Sequence, residues 1–192
     1  MPRNREFDYN EKLEAARNLF WEKGYNATSL NDLVSTLKLN RSSIYEVYGN
    51  KHDLFLKCLN NYISKKEMQY KAAGEKGNSP LDAVKLIIRN IVKNMALEAK
   101  TCMSIRTTFE MGKTDKEIQK MLNEQAVNSV KLFSGFLQKA RDNGELPPDK
   151  DPDITAHFIV ASFGALFNAE ILFEDKKMTQ KLTDFLINTI IN

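Results

Sequence analysis

Apolar residues recur every three or four positions along nearly the whole chain, which is the spacing of amphipathic helices. Leu13, Ala16 and Phe20 form the inner stripe of a first helix over about 9–23, and Gly24 is its natural stop. Thr28 or Ser29 can cap a short second helix over 30–37, with Asp32 at the offset of a capping partner. Lys38-Leu39-Asn40 is a three-residue turn before another short helix over about 41–47. Gly49 ends that helix, and Asn50 caps a fourth that carries Leu54, Phe55, Cys58, Leu59 and Tyr62 on one side and fades before Gly74. The run GEKGNSP, residues 74–80, is the best linker, and Pro80 suits a first helical position.

The second half continues the pattern. Val84, Ile87, Ile88, Ile91 and Met95 mark one helix, and further helices are predicted over about 101–111 and 116–143. After Pro152 the chain is apolar on nearly all sides from Phe158 to Phe167, so that helix is expected to be buried on most sides. A last helix should turn Leu182, Phe185, Leu186 and Ile190 inward. No sustained alternation of the kind that marks strands is present. The expected fold is all-α, with about nine helices: a three-helix N-terminal domain over 1–60 and a helical domain over 61–192.

Composition adds limits. The 192 residues are 42% hydrophobic and 28% charged, ordinary for a globular chain. No apolar run nears the ~20 residues of a membrane helix, and the N-terminus lacks the apolar core of a secretory signal. A cytoplasmic protein with no membrane partner is expected. Two cysteines, Cys58 and Cys102, build neither a disulfide framework nor a zinc cage. The net charge is only +3, and the first 56 residues hold eight Lys or Arg against eight Asp or Glu. Total charge therefore says nothing about nucleic acid; position must decide.

Position does suggest it. Two short helices joined by a three-residue turn within a three-helix unit make a helix-turn-helix, here over about 29–48. The second has few anchors, Ile44 and Val47, so most of its face is free. Asn40, Arg41, Ser42, Ser43 and Tyr45 gather hydrogen-bonding groups near its N-terminus, where the helix dipole favours phosphate and short side chains allow close approach to a groove. Tyr48, Lys51 and His52 extend that surface, and Thr28 and Ser29 offer donors at the start of the preceding helix. Arg3 and Arg5 lie on an arm of the kind that reaches a minor groove.

Residues 24–55, GYNATSLNDLVSTLKLNRSSIYEVYGNKHDLF, resemble the N-terminal signature of the TetR/AcrR family of transcriptional regulators. The matching elements are Gly24-Tyr25, Thr28-Ser29, Asp32-Leu33, Ile44-Tyr45 with Tyr48, Lys51, and Asp53-Leu54-Phe55. Two positions depart: Lys38 stands where the family usually has glycine, and Val47 where a His or Tyr is common. The segments TCMSIRTTFEMGKTDKEI and ARDNGELPPDKDPDITA are similar to stretches found in one branch of the family. The resemblance implies a homodimer, a small-molecule pocket in the larger domain, and repression relieved by ligand. The operator in double-stranded DNA is expected to be palindromic. The dimer is expected to form through the two C-terminal helices, because the first is apolar on more sides than one domain can cover and Gly164 beside Ala161 and Ala165 lets helices approach closely.

Eight of the eleven Phe and six of the seven Met lie after residue 60, as a hydrophobic ligand site would want. Candidate lining residues are Met95, Met103, Phe109, Phe133, Phe136, Phe163 and Phe167, with Arg106 for an anionic group. Cys102 is placed at a helix start with Lys100 and Arg106 nearby, a setting that favours thiolate, and electrophile-responsive members of the family carry a cysteine at a similar point. His52 and His157 are isolated, and no catalytic triad, phosphate loop or metal motif is visible, so neither an enzyme nor a cofactor is expected. The rival reading is a helical ligand-binding or enzyme-like protein whose N-terminal unit has lost DNA affinity. Near-zero local charge and Val47 support it, and a gel shift separates the two.

Overall fold

The computed structural model describes residues 7–98 and 102–191, the side chains of residues 95–98 excepted. The arm with Arg3 and Arg5 and the side chain of Met95 lie outside the described residues. Every described element is a helix: α1 Tyr9–Lys23, α2 Leu30–Leu37, α3 Arg41–Tyr48, α4 Lys51–Gly74, α5 Pro80–Glu98, α6 Met103–Met111, α7 Lys116–Asp142, α8 Pro152–Phe173 and α9 Lys176–Ile191.

The boundaries follow from local chemistry. The Asp8 carboxylate accepts from the amides of Asn10 and Glu11 at 2.7 and 3.2 Å, capping α1. Gly24 ends it at φ 86°, a conformation that glycine adopts without cost. Ser29 and Asp32 form a reciprocal capping box on α2. Asn40 caps α3 by accepting from the Ser43 amide at 2.8 Å, and Asn50 accepts from His52 and Asp53 at 2.8 and 3.0 Å at the start of α4. Lys38 closes α2 in the left-handed region, φ 53° and ψ 38°. That is the backbone reason a glycine suits this turn.

The chain forms two compact units, and they are not consecutive in sequence. One holds residues up to Ser64 together with Met103–Met121; the other holds Lys65–Cys102 and Leu122–Asn192. The division expected at residue 60 thus falls inside α4, and α6 belongs with the N-terminal helices.

In the first unit Leu13, Ala16 and Phe20 of α1, Leu33 and Leu37 of α2, Ile44 of α3 and Leu54, Phe55, Cys58 and Leu59 of α4 are buried. Phe55 meets Phe20 and Tyr25 at ring-centroid distances of 5.0 Å. α6 clasps the α1–α2 junction of this unit. Arg106 donates to the carbonyls of Trp21, Glu22 and Lys23 at 3.2, 2.8 and 2.6 Å. Glu110 accepts from the amides of Tyr25 and Asn26 at 3.1 and 2.7 Å. One charged pair from α6 thereby satisfies the carbonyls a helix leaves open at its C-terminus and the amides that follow.

The second unit is built on Ile87, Ile88, Phe133, Leu137, Ala140, Ala156 and Ile159. Glu145 accepts from the Ser79 hydroxyl at 2.6 Å and the Leu81 amide at 3.1 Å, fixing the start of α5; the Ser79 bond is the main reason its carboxyl lies below the ordinary range. Asp151 caps α8, with Pro152 in the first turn.

Two expectations need correction here. α8 is not buried on most sides: Ile154 is 70% exposed, and Phe158, Ile171, Leu172 and Phe173 are exposed too. The unit covers one side of a helix that is apolar nearly all round from Phe158 to Phe167. By length and composition alone this is a helix that could cross a membrane. In α9 Phe185 points outward, 71% exposed, and Thr183 takes the buried place beside Leu186, Ile187 and Ile190. The Thr183 hydroxyl donates to the Thr179 carbonyl at 2.7 Å on its own helix, so it can be buried at little cost.

Candidate nucleic-acid interface

α3 is eight residues long and is held by two fully buried side chains, Ile44 and Tyr48. They are four residues apart and share one stripe. The opposite face presents Arg41, Ser42, Tyr45 and Glu46, all exposed, with Ser43 half-buried beside them. Asn40 is exposed at the cap, and its side-chain oxygen is occupied by the Ser43 amide. The N-terminal end of a short helix, rich in small and hydrogen-bonding groups, is the geometry that meets base edges in a major groove.

The structure removes Thr28 and Tyr48 from the expected reading surface. Thr28 is fully buried, and its hydroxyl donates to the Gly24 carbonyl at 2.6 Å; it closes the α1–α2 junction. Tyr48 is fully buried, packs at a tilt against Tyr9 with ring centroids 4.9 Å apart, and donates its hydroxyl to the Tyr9 carbonyl at 2.9 Å. It is an anchor of α3. Ser29 is exposed, but its amide and hydroxyl both donate to Asp32, at 2.8 and 2.7 Å. The Lys23 ammonium also reaches Asp32, at 2.7 Å. These bonds, that of Lys23 foremost and those of Ser29 next, hold the Asp32 carboxyl far below the usual range.

Lys51 is half-buried with its ammonium 4.3 Å from the centre of the Tyr25 ring. Burial pulls its pKa down. Tyr25 sits edge-on to His52 at 6.3 Å, and burial, with the Asp115 charge behind it, pushes its hydroxyl up. His52 Nε2 lies 2.7 Å from Asp115. Lys51 and His52 are thus engaged in the unit's own aromatic and ionic contacts.

Sequence reasoning missed three side chains around α3. Asn31 accepts from Arg41 at 2.7 Å, Glu46 adds a carboxylate to the free face, and Lys57 donates to the Tyr48 carbonyl at 2.9 Å at the end of α3. Glu46 was legible as the neighbour of Tyr45 on the same face. Asn31 and Lys57 needed the packing.

The residues expected to line a ligand pocket are distributed over both units. Met103 is buried in the first, while Phe109 there is 86% exposed, the opposite of a cavity wall. Arg106 is committed to the end of α1 and not to an anionic ligand. In the second unit Phe133 is buried and meets half-buried Phe163 at 6.0 Å; Phe167 is buried, and Phe136 lies beside Gly74. Cys102 is half-buried and precedes α6 instead of starting it. Cys58 is fully buried, and burial pushes its thiol well up. A groove of about 380 Å³ in the second unit is lined by Glu67, Tyr70, Lys71, Asn128, Lys131 and Leu132 among others, none of them expected from sequence. Among the described residues no three His, Cys, Asp or Glu side chains come together as a metal site would need.

Two family profiles match. Residues 13–58 match the profile described as bacterial regulatory proteins, tetR family. Residues 80–186 match the tetracyclin repressor-like C-terminal domain. The chain is 35% identical over 158 residues to the HTH-type transcriptional regulator YezE of Bacillus subtilis, covering 81% of each chain. It is 29% identical over 157 residues to the HTH-type transcriptional repressor ComR of Escherichia coli, covering 80% of this chain and 74% of ComR. Among solved structures, a cysteine mutant of the TetR-family regulator CifR, in complex with a 26-base-pair operator, superposes with a TM-score of 0.85 at 19% identity, over 97% of this chain and 98% of that one. Reduced NemR of Escherichia coli superposes at 0.84 with 15% identity, over 95% of this chain and 96% of that one.

Proposed function

The chain belongs to the TetR family of bacterial regulatory proteins and is a DNA-binding transcriptional regulator; we propose that it is a homodimeric, non-enzymatic repressor released from a palindromic operator by a hydrophobic small molecule. The observation that carries the DNA reading is the free face of α3, with Arg41, Ser42 and Tyr45 exposed above a helix anchored by Ile44 and Tyr48. CifR, of the same fold, holds operator DNA, and ComR is named a repressor. Asn40 and Ser43 shape the start of that helix, and Ser29 caps α2 before it.

The dimer reading rests on α8 and α9. Ile154, Phe158 and Phe185 are exposed, and Ala161 and Ala165 are exposed beside Gly164, where an added Cβ would meet nothing within 4 Å. An apolar face of this size with small residues at its centre suits close packing of helices from a second copy. Two-fold symmetry is what a palindromic operator demands of its reader. For the inducer, the aromatic cluster of Phe133, Phe163 and Phe167 supports an apolar ligand in the second unit. α4 and α7 each contribute residues to both units, so a ligand that favours one arrangement of these helices also biases the reading helix.

The test is a gel shift on duplex DNA from the region upstream of the chain's own coding sequence. Arg41→Ala and Tyr45→Ala should each weaken binding roughly 10- to 100-fold, since a good base or phosphate contact is worth about 1–3 kcal/mol. Circular dichroism should not change, because both side chains are exposed. Wild-type binding by both variants would remove α3 as the reading surface.

A further inference from the structure

The first unit contains three arginines among its described residues, and they are used differently. Arg17 donates to Asn61 at 2.7 Å and Asn18 at 3.2 Å. Arg106 is spent on three carbonyls of α1. Arg41, the first residue of α3, makes a single hydrogen bond among the described residues: Nη2 donates to Asn31 Oδ1 at 2.7 Å. A guanidinium carries five N–H donors in a rigid plane, so this leaves most of the fork open.

Asn31 is the second residue of α2, and both partners are exposed. An exposed arginine ordinarily samples many rotamers. An amide oxygen at 2.7 Å restrains the plane and adds no opposing charge. Asp32, the next residue, bears a fixed negative charge but is taken by Lys23 and Ser29. The guanidinium at the start of α3 therefore keeps its full charge and a set orientation. A phosphate can take a fixed fork as well, but Arg41 stands at the end of a short helix of the kind that enters the major groove, where base edges are the nearer targets. A guanine, with O6 and N7 in one plane, gains most, because its two acceptors need a fork in a fixed position.

We propose that Asn31 is a positioning residue that presets Arg41 as a guanine-reading fork, so that each operator half-site carries a guanine opposite the start of α3. This rests on the DNA reading above and extends it to one base and one residue behind it. Holding the fork before binding saves the ordering of a long side chain, so losing Asn31 should cost roughly 3- to 10-fold in affinity for the guanine-bearing site. Losing Arg41 should cost roughly 10- to 100-fold. Once Arg41 is gone, Asn31 has nothing to position, and the two losses should not add.

The experiment selects binding duplexes from a randomised pool of double-stranded DNA with wild type, Asn31→Ala, Asn31→Asp, Arg41→Ala and the Asn31→Ala/Arg41→Ala double variant. Affinities are then measured on the selected duplex and on copies with the guanine replaced by adenine. Wild type should select one guanine per half-site that Arg41→Ala no longer prefers. Asn31→Ala should narrow the guanine-over-adenine ratio with the salt slope unchanged, since Asn31 neutralises no phosphate. Asn31→Asp keeps the acceptor but adds an opposing charge, so it should bind both duplexes more weakly while retaining the guanine-over-adenine ratio; urea unfolding of each variant separates this from an effect on α2 stability. Asn31→Ala with a wild-type ratio, or losses that simply add in the double variant, would overturn the pairing while leaving DNA reading intact. A wild type that selects no sequence at all would overturn both.

Discussion

α3 and α8 both leave more surface open than they bury, and the chemistry of the open side differs. α3 hides Ile44 and Tyr48 and shows Arg41, Ser42, Tyr45 and Glu46. α8 hides Pro152, Ala156, Ile159, Leu166 and Phe167 and shows Ile154, Phe158, Ile171, Leu172 and Phe173. Water tolerates the first face well and the second poorly. A polar face on a thinly anchored helix is free to meet a polar partner that comes and goes. An apolar face of comparable openness marks a partner that stays. On the proposed reading the two helices divide recognition from assembly: a change on the open face of α3 should leave the dimer intact, whereas a change on α8 should reach DNA binding only through the dimer.

The largest effect is expected at α8. Gly164→Phe adds a ring where a Cβ meets nothing, so the single chain should fold as before with unchanged far-ultraviolet circular dichroism. Sedimentation should show the dimer weakened by roughly 100-fold or more, as for a blocked interface centre. Operator binding should fall with it. A variant that stays dimeric would move the interface off this face.

Next in size is the clasp on α1. Arg106→Met removes the donors to three carbonyls at the end of α1. Urea unfolding should show a loss of about 2 kcal/mol, the scale of hydrogen bonds to a charged group. Arg106→Lys should recover only part, because an ammonium lacks the planar fork.

A smaller effect concerns acid. The Asp115 carboxyl lies below its usual 3.8, through the bond from the Ile118 amide first, then those from His52 and the Glu117 amide, against opposing burial. A carboxyl lowered in the folded state binds protons more readily when unfolded. Its contribution is therefore complete above the ordinary carboxyl value and lost as pH falls through the lowered one. Stability measured from pH 7 down to about 3 should decline less steeply in Asp115→Asn than in wild type.

The smallest is at the turn. Lys38 occupies the left-handed region at φ 53°. Lys38→Gly relieves that conformation but frees the unfolded chain, for a net gain of about 0.5 kcal/mol in thermal or urea unfolding. No gain would mean that the lysine side chain compensates for its own backbone.

The helix boundaries were legible because each is written in a few adjacent residues. Asp8, Ser29, Asn40, Asn50 and Asp151 cap, and Gly24 and Gly49 stop. Facing was legible where the stripe is purely apolar, as in Leu13, Ala16 and Phe20. It failed where a polar residue satisfies itself locally. Thr28 and Thr183 are buried because a carbonyl four residues back takes the hydroxyl. Tyr48 looked like a surface hydroxyl, yet it stands on the stripe of Ile44 and finds the Tyr9 carbonyl 39 residues away. Arg106 was assigned to a ligand because nothing near it in sequence shows that its partners are at residues 21–23. The resemblance of residues 24–55 named the family; it did not say which polar groups of the motif are free.

That clasp also bears on how the protein is made. The carbonyls that end α1 and the amides that follow it are completed by side chains more than 80 residues later in the chain. During synthesis the first three helices leave the ribosome well before Arg106 and Glu110 exist. Until α6 arrives, the α1–α2 junction must rely on water and on its own Thr28 bond. The DNA-reading unit therefore reaches its finished form only after a chain segment from beyond the linker has returned to it, and a fragment ending at residue 64 should fray at this junction.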